Sequence, residues 1–396
     1  MRLSLLALFC TTTTALRAPS HGTRPLTAMR AVTTEELVES FGAMKAAAGE
    51  LAPFSQAEVA SVVASLANVG LDASRADAVG AVLRDRAGNS HKDWAATEAG
   101  GAALAAALPA ADSDEFARIF EKVLGGGGWA GAVAAAESRP ESAKPWVVLV
   151  TGVNGIRKTT SIYEPWFGDA LREAIVGPGG ARADVARDDL PVGSTSFFRQ
   201  LDFVIATAAN EDFRRLYGIE DVAAYAAAKD AIFSRYRTVA EMVGALLVAE
   251  AKTRDLNVML ETSGRDVAMF EYVDHFFPDA HYRKLALNFE IEDLAFAERS
   301  VDSRMLGEMA RGKAAAAAGD ARAVVDANAG GPYGSAVLAG VQRDSRACWA
   351  KVAAGDAGVG ATWHMASLAI SPSDDAPWTL RAATAGATSF AYSPRS

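Results

Sequence analysis

The residues with the clearest capacity for chemistry lie in one short stretch, TGVNGIRKTT, from Thr151 to Thr160. An apolar run from Val147 to Val150 precedes it, and such a run is typical of a strand buried on both faces. A strand, a glycine-bearing turn, and then Lys158 and Thr159 at the start of a helix make the pattern of a phosphate-binding loop. Glycines let the backbone approach an anion, amide groups at a helix N-terminus face it, and a lysine adds positive charge. The stretch therefore predicts a site that binds the phosphates of a nucleotide.

The loop departs from the Walker pattern Gly-x-x-x-x-Gly-Lys-[Ser/Thr] at one position. Arg157 stands where the glycine before the lysine belongs, and a side chain there either crowds the phosphates or requires an altered backbone geometry. A hydroxyl directly after the lysine can hold Mg²⁺, so Thr159 is the expected metal ligand. The alternative is an ordinary strand-to-helix turn, or a phosphate loop that has lost its function. The residues expected to bind ATP are Gly152, Asn154, Gly155, Arg157, Lys158, Thr159 and Thr160.

Two further apolar runs, Leu256–Leu260 and Leu285–Phe289, predict buried strands that belong to the same sheet. The first ends in the segment ETSGRD, residues 261–266. In open parallel sheets, ligands lie at the carboxyl ends of the strands, so we expect this segment beside the phosphate loop. Glu261 is then a candidate catalytic acid and Arg265 a candidate for substrate binding, although Arg265 also fits a local ion pair with its neighbour.

The stretch from Phe197 to Tyr217 fits two interpretations. Apolar residues at helical spacing after a Ser/Thr cap favour a helix, whereas Phe203–Ala206 fits a buried strand equally well. The choice decides the position of Asp212, which lies in the segment NEDFR beside Arg214. If the stretch is helical, Asp212 does not lie at the end of a strand.

Composition narrows the classes of function. The chain has 396 residues and a net charge of −9, which argues against a general nucleic-acid binder because such proteins carry a basic face. Its two cysteines, Cys10 and Cys348, provide neither a disulfide framework nor a cysteine zinc site. The five histidines show no metal-ligand spacing.

The first residues have the composition of a targeting segment. A basic start and a short apolar run from Leu3 to Cys10 are typical of a secretory signal. The stretch from Leu16 to Val32 contains arginine, serine and threonine but no acid, which is typical of a transit peptide. Residues 1–32 therefore predict a two-part plastid presequence, the alternative being secretion. No later stretch predicts a membrane span.

Helical periodicity and loop composition divide the rest of the chain. Residues 33–124 predict a small helical domain, interpreted as a surface for a protein partner or a cover for the catalytic domain. The run of four glycines at 125–128 and the following small residues predict a linker over 125–144. Residues 145–396 then form an α/β domain with a parallel sheet flanked by helices.

The order of these parts over about residues 145–310 resembles the zeta-toxin-like P-loop kinases. GVNGIRKTT is similar to the nucleotide loop of that family, and the segment around Asp212 is similar to its Asp-x-Phe-Arg segment. Leu260-Glu261-Thr262 is similar to its Glu-Gly-Thr strand end. Arg299 and Arg304, on a predicted helix, resemble the arginines that cover the phosphates in the family.

The resemblance implies a kinase that transfers phosphate from ATP with Mg²⁺ to a hydroxyl of a small molecule, such as a nucleotide sugar or another metabolite. Lys158 would neutralise the phosphates, Asp212 would accept the hydroxyl proton, and Glu261 would orient metal-bound water or touch substrate. Charge on the transferring group would be stabilised by Arg214, Arg299 and Arg304.

Two other functions compete with this one. GVNGIRKTT also resembles the loop of the signal-recognition GTPases, and ETSGRD resembles their Asp-Thr-Ala-Gly-Arg segment, although no Thr-Lys-x-Asp guanine-selecting segment is present. The other alternative is a catalytically inactive nucleotide-binding scaffold that holds a partner through residues 33–124.

Overall fold

The computed structural model describes residues 33–124, 127–176, 190–198, 200–360, 362–371, 378–382 and 385–390. The predicted presequence, residues 1–32, and the first two residues of the predicted linker lie outside the described residues. From Thr34 onward the chain forms one compact unit.

The sheet confirms an α/β fold with parallel strands flanked by helices. Within the described residues the strands are β1 (Trp146–Thr151), β2 (Phe197–Phe198), β3 (Val258–Glu261), β4 (Arg283–Ile291), β5 (His364–Ile370), β6 (Trp378–Ala382) and β7 (Ala385–Phe390). Their order in space is β2-β3-β1-β4-β5-β6-β7. The first five are parallel, and β6 and β7 add an antiparallel hairpin at one edge.

Helices cover the sheet and precede it in the chain. Those described are α1 (Thr34–Gly49), α2 (Gln56–Val69), α3 (Ala76–Arg86), α4 (Trp94–Ala107), α5 (Asp114–Leu124), α6 (Trp129–Ser138), α7 (Lys158–Ser161), α8 (Pro165–Val176), α9 (Leu201–Ala208), α10 (Asn210–Leu216), α11 (Val222–Thr253), α12 (Ala268–Phe276), α13 (Leu294–Ala318), α14 (Ala321–Ala327) and α15 (Leu338–Ala353). None of them is both long enough and apolar enough to cross a membrane.

The central strand β1 is buried on both faces, as its β-branched composition predicts. Val147 belongs to one apolar core and Val148 to the other, because successive side chains point to opposite faces of a sheet. Full burial of each such side chain stabilises the fold by about 1.5–3 kcal/mol. In the parallel register Val150 is paired with Glu261, so β1 and β3 end at the same level.

The connections that leave β1 and β3 run to opposite faces of the sheet. Helix α8 follows β1 and contributes Phe167 to the core that contains Val148, whereas α12 follows β3 and contributes Phe270 to the core that contains Val147. Where adjacent parallel strands send their connections to opposite faces, a crevice opens at their carboxyl ends, and ligands bind there. The predicted phosphate loop, residues 151–160, and Glu261 both lie at this crevice.

Two segments differ from the sequence-based predictions. The predicted linker contains α6, whose Trp129 ring packs edge-on against Phe197 with a centroid distance of 5.1 Å. The strand considered over Phe203–Ala206 is wrong, because these residues belong to α9. After the predicted phosphate loop, α7 ends at Ser161 and α8 begins at Pro165, where a missing amide hydrogen costs nothing.

The N-terminal helices pack on the long helix α11. The capping box at the start of α2 places Glu58 so that it accepts a hydrogen bond from Arg235 Nε of α11 at 2.6 Å. Gly100 and Gly101 of α4 lie so close to Met242 that a Cβ at either position would meet it at 2.3 or 2.9 Å. The helical region is therefore joined to the α/β region by a packed, sterically selected contact.

Candidate functional site

The turn after β1 requires glycine at two positions. Gly152 has φ of +129° and Gly155 has φ of +85°, a region that L side chains rarely adopt. A Cβ on Gly152 would meet the carbonyl of Phe289 at 2.4 Å, and one on Gly155 would meet the carbonyl of Ala297 at 2.5 Å. The two glycines therefore let the loop pack against β4 and the start of α13 while it turns into α7.

Arg157 adopts the left-handed conformation, with φ of +62° and ψ of +23°. An arginine is costlier than a glycine in this conformation, and glycine is the residue that the Walker pattern has at this position. The guanidinium lies 5.4 Å from the ring centroid of Phe296, within cation–π distance. The Arg157 side chain thus points to the start of α13. The altered backbone geometry expected for the loop is a left-handed, strained conformation at Arg157 alone among the non-glycine residues from Thr151 to Thr160.

Substitutions at Arg157 should separate backbone strain from side-chain effects. A β-branched residue tolerates positive φ worst, so Arg157→Val should lower the free energy of unfolding by about 1–2 kcal/mol relative to Arg157→Gly. Urea unfolding of the two variants measures the difference. Equal stability of the valine and glycine variants would show that this residue does not hold the left-handed conformation in solution.

Lys158 is the first residue of α7 and is 4% exposed. Its Nζ donates hydrogen bonds to the carbonyls of Gly152 at 2.7 Å and Val153 at 2.9 Å, and lies 3.6 Å from the Glu261 carboxylate. Burial lowers the pKa of Lys158, and the charge of Glu261 opposes that shift. The loop and its lysine therefore form one hydrogen-bonded unit beneath the crevice.

Thr159 and Glu261 meet at the end of the sheet. Thr159 Oγ1 donates a hydrogen bond of 2.7 Å to Glu261 Oε2, and these residues line the same cavity as Lys158. The Thr262 amide is bonded to the carbonyl of Val150 at 3.0 Å, which fixes the β3 end beside β1. A lysine, a hydroxyl and a carboxylate from two adjacent strand ends thus converge, as their positions in the sequence predict.

The oxygen atoms of Thr159 and Glu261 fit the ligand preference of Mg²⁺. This ion takes hard oxygen ligands and is commonly held by one or two carboxylates together with substrate phosphates. Among the described residues no group of three or more His, Cys, Asp or Glu side chains forms a metal cage. The donor set therefore fits an ion that binds together with a phosphate better than one held by protein alone.

A cavity of about 1320 Å³ lies over the phosphate loop and extends to the N-terminal helices. The predicted residues on its wall are Asn154, Gly155, Arg157, Lys158, Thr159, Thr160, Glu261, Arg265 and Arg304. Its remaining described wall comes mainly from residues 89–94, the middle of α11, the start of α12 and the segment 328–333.

The cavity also contains an acid that the sequence analysis missed, Asp202, in the first turn of α9. Burial raises the pKa of this carboxyl above its ordinary value, and the cations Lys229, Arg237 and Arg304 oppose the shift. An acid with a perturbed pKa in a cleft is a candidate for a functional role. Because β2 is two residues long, no apolar run marked the strand end that precedes Asp202.

Besides Gly152, three predicted site residues are not part of the cavity wall. Asp212 lies on α10, where it accepts a hydrogen bond of 2.7 Å from the Tyr236 hydroxyl and pairs with Arg215. It does not follow a strand and does not line the cavity, so it lies away from the place expected for the proton acceptor. Arg214 bonds to Asn210 and to the carbonyl of Gly319. The third residue, Arg299, is exposed on α13.

The segment 328–333 is held over the cavity by contacts from both sides. Arg265 donates a hydrogen bond of 2.7 Å to the Tyr333 hydroxyl, and Arg304 Nη2 donates one of 3.3 Å to the carbonyl of Gly331. Below the segment, Glu308 accepts a hydrogen bond from the amide of Ala329 at 3.0 Å. No motif in the sequence marked this region.

Glu308 belongs to a buried ion pair that joins α11 to α13. Its Oε1 accepts hydrogen bonds from Lys229 Nζ at 2.6 Å and from the Tyr225 hydroxyl at 2.5 Å. Both charged side chains are fully buried. The pair is therefore the internal support of the segment that carries Asn328 and Gly331 into the cavity wall.

Comparison with known proteins adds no assignment: no protein-family model matches the chain, and no curated protein matches it.

Proposed function

We propose that the protein is an ATP-dependent phosphotransferase that acts on a hydroxyl group of a small molecule. The observation that carries the proposal is the convergence of Lys158, Thr159 and Glu261 on one crevice, at the end of a strand followed by a turn with glycines at positive φ. Phosphoryl transfer needs placement and charge neutralisation more than covalent chemistry, and these residues supply both.

Each residue has a role that follows from its position. Lys158 places a cation beside the turn that would receive the phosphates, and Arg304 adds a second cation from α13. Thr159 and Glu261 would hold Mg²⁺, which when bound neutralises charge on the phosphate oxygens. The fixed hydrogen bonds of the lysine mean that little reorganisation is needed when charge develops on the transferring group.

Asp202 replaces Asp212 as the proposed proton acceptor. It lies on the wall of the same cavity as Lys158 and Glu261, and its carboxylate would take the proton of the acceptor hydroxyl as the oxygen attacks the terminal phosphorus. The bond from that phosphorus to the bridging oxygen breaks, and ADP leaves with the bonding electron pair. A raised pKa suits this task, because it makes the carboxylate a stronger base.

Kinetics against pH test the proposal. A protonated Asp202 cannot accept a proton, so the rate should fall with decreasing pH through a pKa above the ordinary aspartate value of about 3.9. Asp202→Asn should lower the rate by about 10²–10⁴ and remove this acid limb, while ATP binding persists. The measurement is ADP release from Mg-ATP with a panel of hydroxyl-bearing metabolites, at pH values from 4 to 9 (roughly the range over which such general acid–base groups titrate).

Asp212→Asn is the matched comparison, because it removes the same charge outside the cavity. A large loss of rate in Asp212→Asn with an active Asp202→Asn would restore the sequence-based assignment and reject this one. Tighter binding and turnover of GTP than of ATP would replace the kinase proposal with the GTPase alternative. Nucleotide binding without release of ADP on any acceptor would favour an inactive scaffold.

A further inference from the structure

The cavity is larger than one ligand of moderate size requires. Sites for drug-sized ligands have volumes of about 300–1,000 Å³, whereas this cavity measures about 1320 Å³. The predicted phosphate loop forms one part of its wall, and residues of α11 and the segment 89–94 form another. There is room for a second molecule on the α11 side.

The wall on that side is built from α11 and held in place by the N-terminal region. Arg237, Thr238 and Glu241 of α11 lie on it. The Thr238 hydroxyl donates a hydrogen bond of 2.7 Å to the carbonyl of Asn89, and Arg237 Nη2 lies 2.7 Å from Glu241 Oε1. Helical spacing therefore turns one face of α11 toward the cavity, and its polar groups are fixed by neighbours.

Three buried polar atoms on the cavity wall have no hydrogen-bond partner within the described chain. They are Nε of Arg237, Nε of Arg304 and Oδ1 of Asn328. Asn328 is 3% exposed, and its amide nitrogen already bonds to the carbonyl of Asp202 at 3.3 Å. Buried polar groups in native proteins are almost always satisfied by protein or ordered water, so these two donors and one acceptor indicate a polar partner, a water or a ligand atom, on the cavity side.

The charged residues of the cavity wall indicate the chemical class of the ligand. Eight of the described lining residues are Lys or Arg and six are Asp or Glu, in a chain with a net charge of −9. Nearby cations are already engaged, Lys45 with Asp230 at 2.6 Å and Arg235 with Glu58 at 2.6 Å. Arg237 and Arg304 retain donor capacity, and both act on the Asp202 carboxyl, which is the proposed acceptor of the hydroxyl proton.

We infer that the α11 side of the cavity is the acceptor subsite and that its ligand carries an anionic group, phosphate or carboxylate. Arg237 binds this group, and Arg304 is shared between the acceptor subsite and the nucleotide subsite. This inference rests on the proposed function, because the ligand is a phosphate acceptor only if the protein transfers phosphate. The hydroxyl that receives phosphate lies toward Asp202, and Asn328 Oδ1 accepts a hydrogen bond from the same molecule. Neutral alcohols without the anionic group bind poorly, because they leave the arginine donors unpaired.

Three probes that share one carbon skeleton test this inference: glycerol 3-phosphate, glycerate and glycerol. Each is titrated calorimetrically into the full chain saturated with Mg²⁺ and a non-hydrolysable ATP analogue. At least one of the two anions should bind at least tenfold more tightly than glycerol. Arg237→Gln should weaken the binding of that anion at least tenfold and leave the affinity for glycerol unchanged. The stronger anion tells whether phosphate or carboxylate is preferred. Arg343→Gln, an exposed arginine on α15, should behave as wild type.

Further variants separate this result from loss of folding and from the proposed function. Arg237→Gln/Glu241→Gln removes both charges of the pair, so that no buried carboxylate is left alone, and should show the same loss of anion binding with a native unfolding temperature. Repeating the anion titration in Lys158→Met without nucleotide tests the subsite even if ATP does not bind. Two results would overturn the inference and leave the proposed function intact. In one, Arg237→Gln leaves anion binding unchanged; in the other, anion binding is lost only in Lys158→Met.

Discussion

Lys158→Met should reduce the turnover of ATP by at least about 10²-fold, because it removes a preorganised positive charge at the transferring phosphate. Methionine keeps much of the aliphatic bulk of the buried stem, so the loop should retain its fold. The variant loses the hydrogen bonds to the carbonyls of Gly152 and Val153, and nucleotide affinity should fall together with the rate. The measurement is ADP release under saturating Mg-ATP, with nucleotide affinity determined separately by calorimetry.

Lys313→Met is the matched control for this result. Lys313 lies on α13, where it pairs with Glu220 on the surface, and its replacement should leave turnover unchanged. Full turnover by Lys158→Met would reject the phosphate loop as the catalytic element. Equal losses in the two lysine variants would show that the assay reports stability, not chemistry.

Glu308→Leu should destabilise the fold by about 3–5 kcal/mol, because it leaves the Lys229 ammonium buried without a counter-charge. Burial already lowers the pKa of Lys229, and Glu308 opposes that shift. The substitution also removes the acceptor of the Tyr225 hydroxyl and of the amide of Ala329. Urea unfolding followed by circular dichroism measures the change in the free energy of unfolding.

The double variant Lys229→Met/Glu308→Leu distinguishes the ion pair from its surroundings. Replacing both charges of a buried pair by apolar groups of similar volume is often neutral or stabilising by about 1–4 kcal/mol. We therefore expect the double variant to be clearly more stable than Glu308→Leu alone. If both variants are equally unstable, the hydrogen bonds to Tyr225 and Ala329, and not the charge pair, hold α11 to α13.

Apolar runs and turn chemistry predicted much of the sheet. The runs at 147–150, 256–260 and 285–289 became β1, β3 and β4, because buried parallel strands are continuous in sequence. The glycines of the loop and the position of Glu261 after a buried strand placed Thr159 and Glu261 within 2.7 Å of each other. These features depend on local composition, which a sequence carries explicitly.

What could not be predicted depends on contacts between distant parts of the chain. Asp202 follows a strand of two residues and enters the cavity only because α9 packs under α11. Asp212 carries the stronger local motif but pairs with Tyr236, which is 24 residues away. In the sequence, Arg237 is an ordinary residue of a predicted helix. Only the fold shows that it lines the same cavity as the segment 89–94.

The packing of the N-terminal helices on α11 determines where the chain can be shortened. Leu246 and Met242 are buried, and α4 fits against them through Gly100 and Gly101. A polypeptide that starts at Pro145 would expose this apolar face of α11 to water. It would also lack residues 89–94, which form part of the cavity wall. The N-terminal helices are thus part of the packed core and of the cavity wall, and the shortest fragment expected to fold extends back to Thr34.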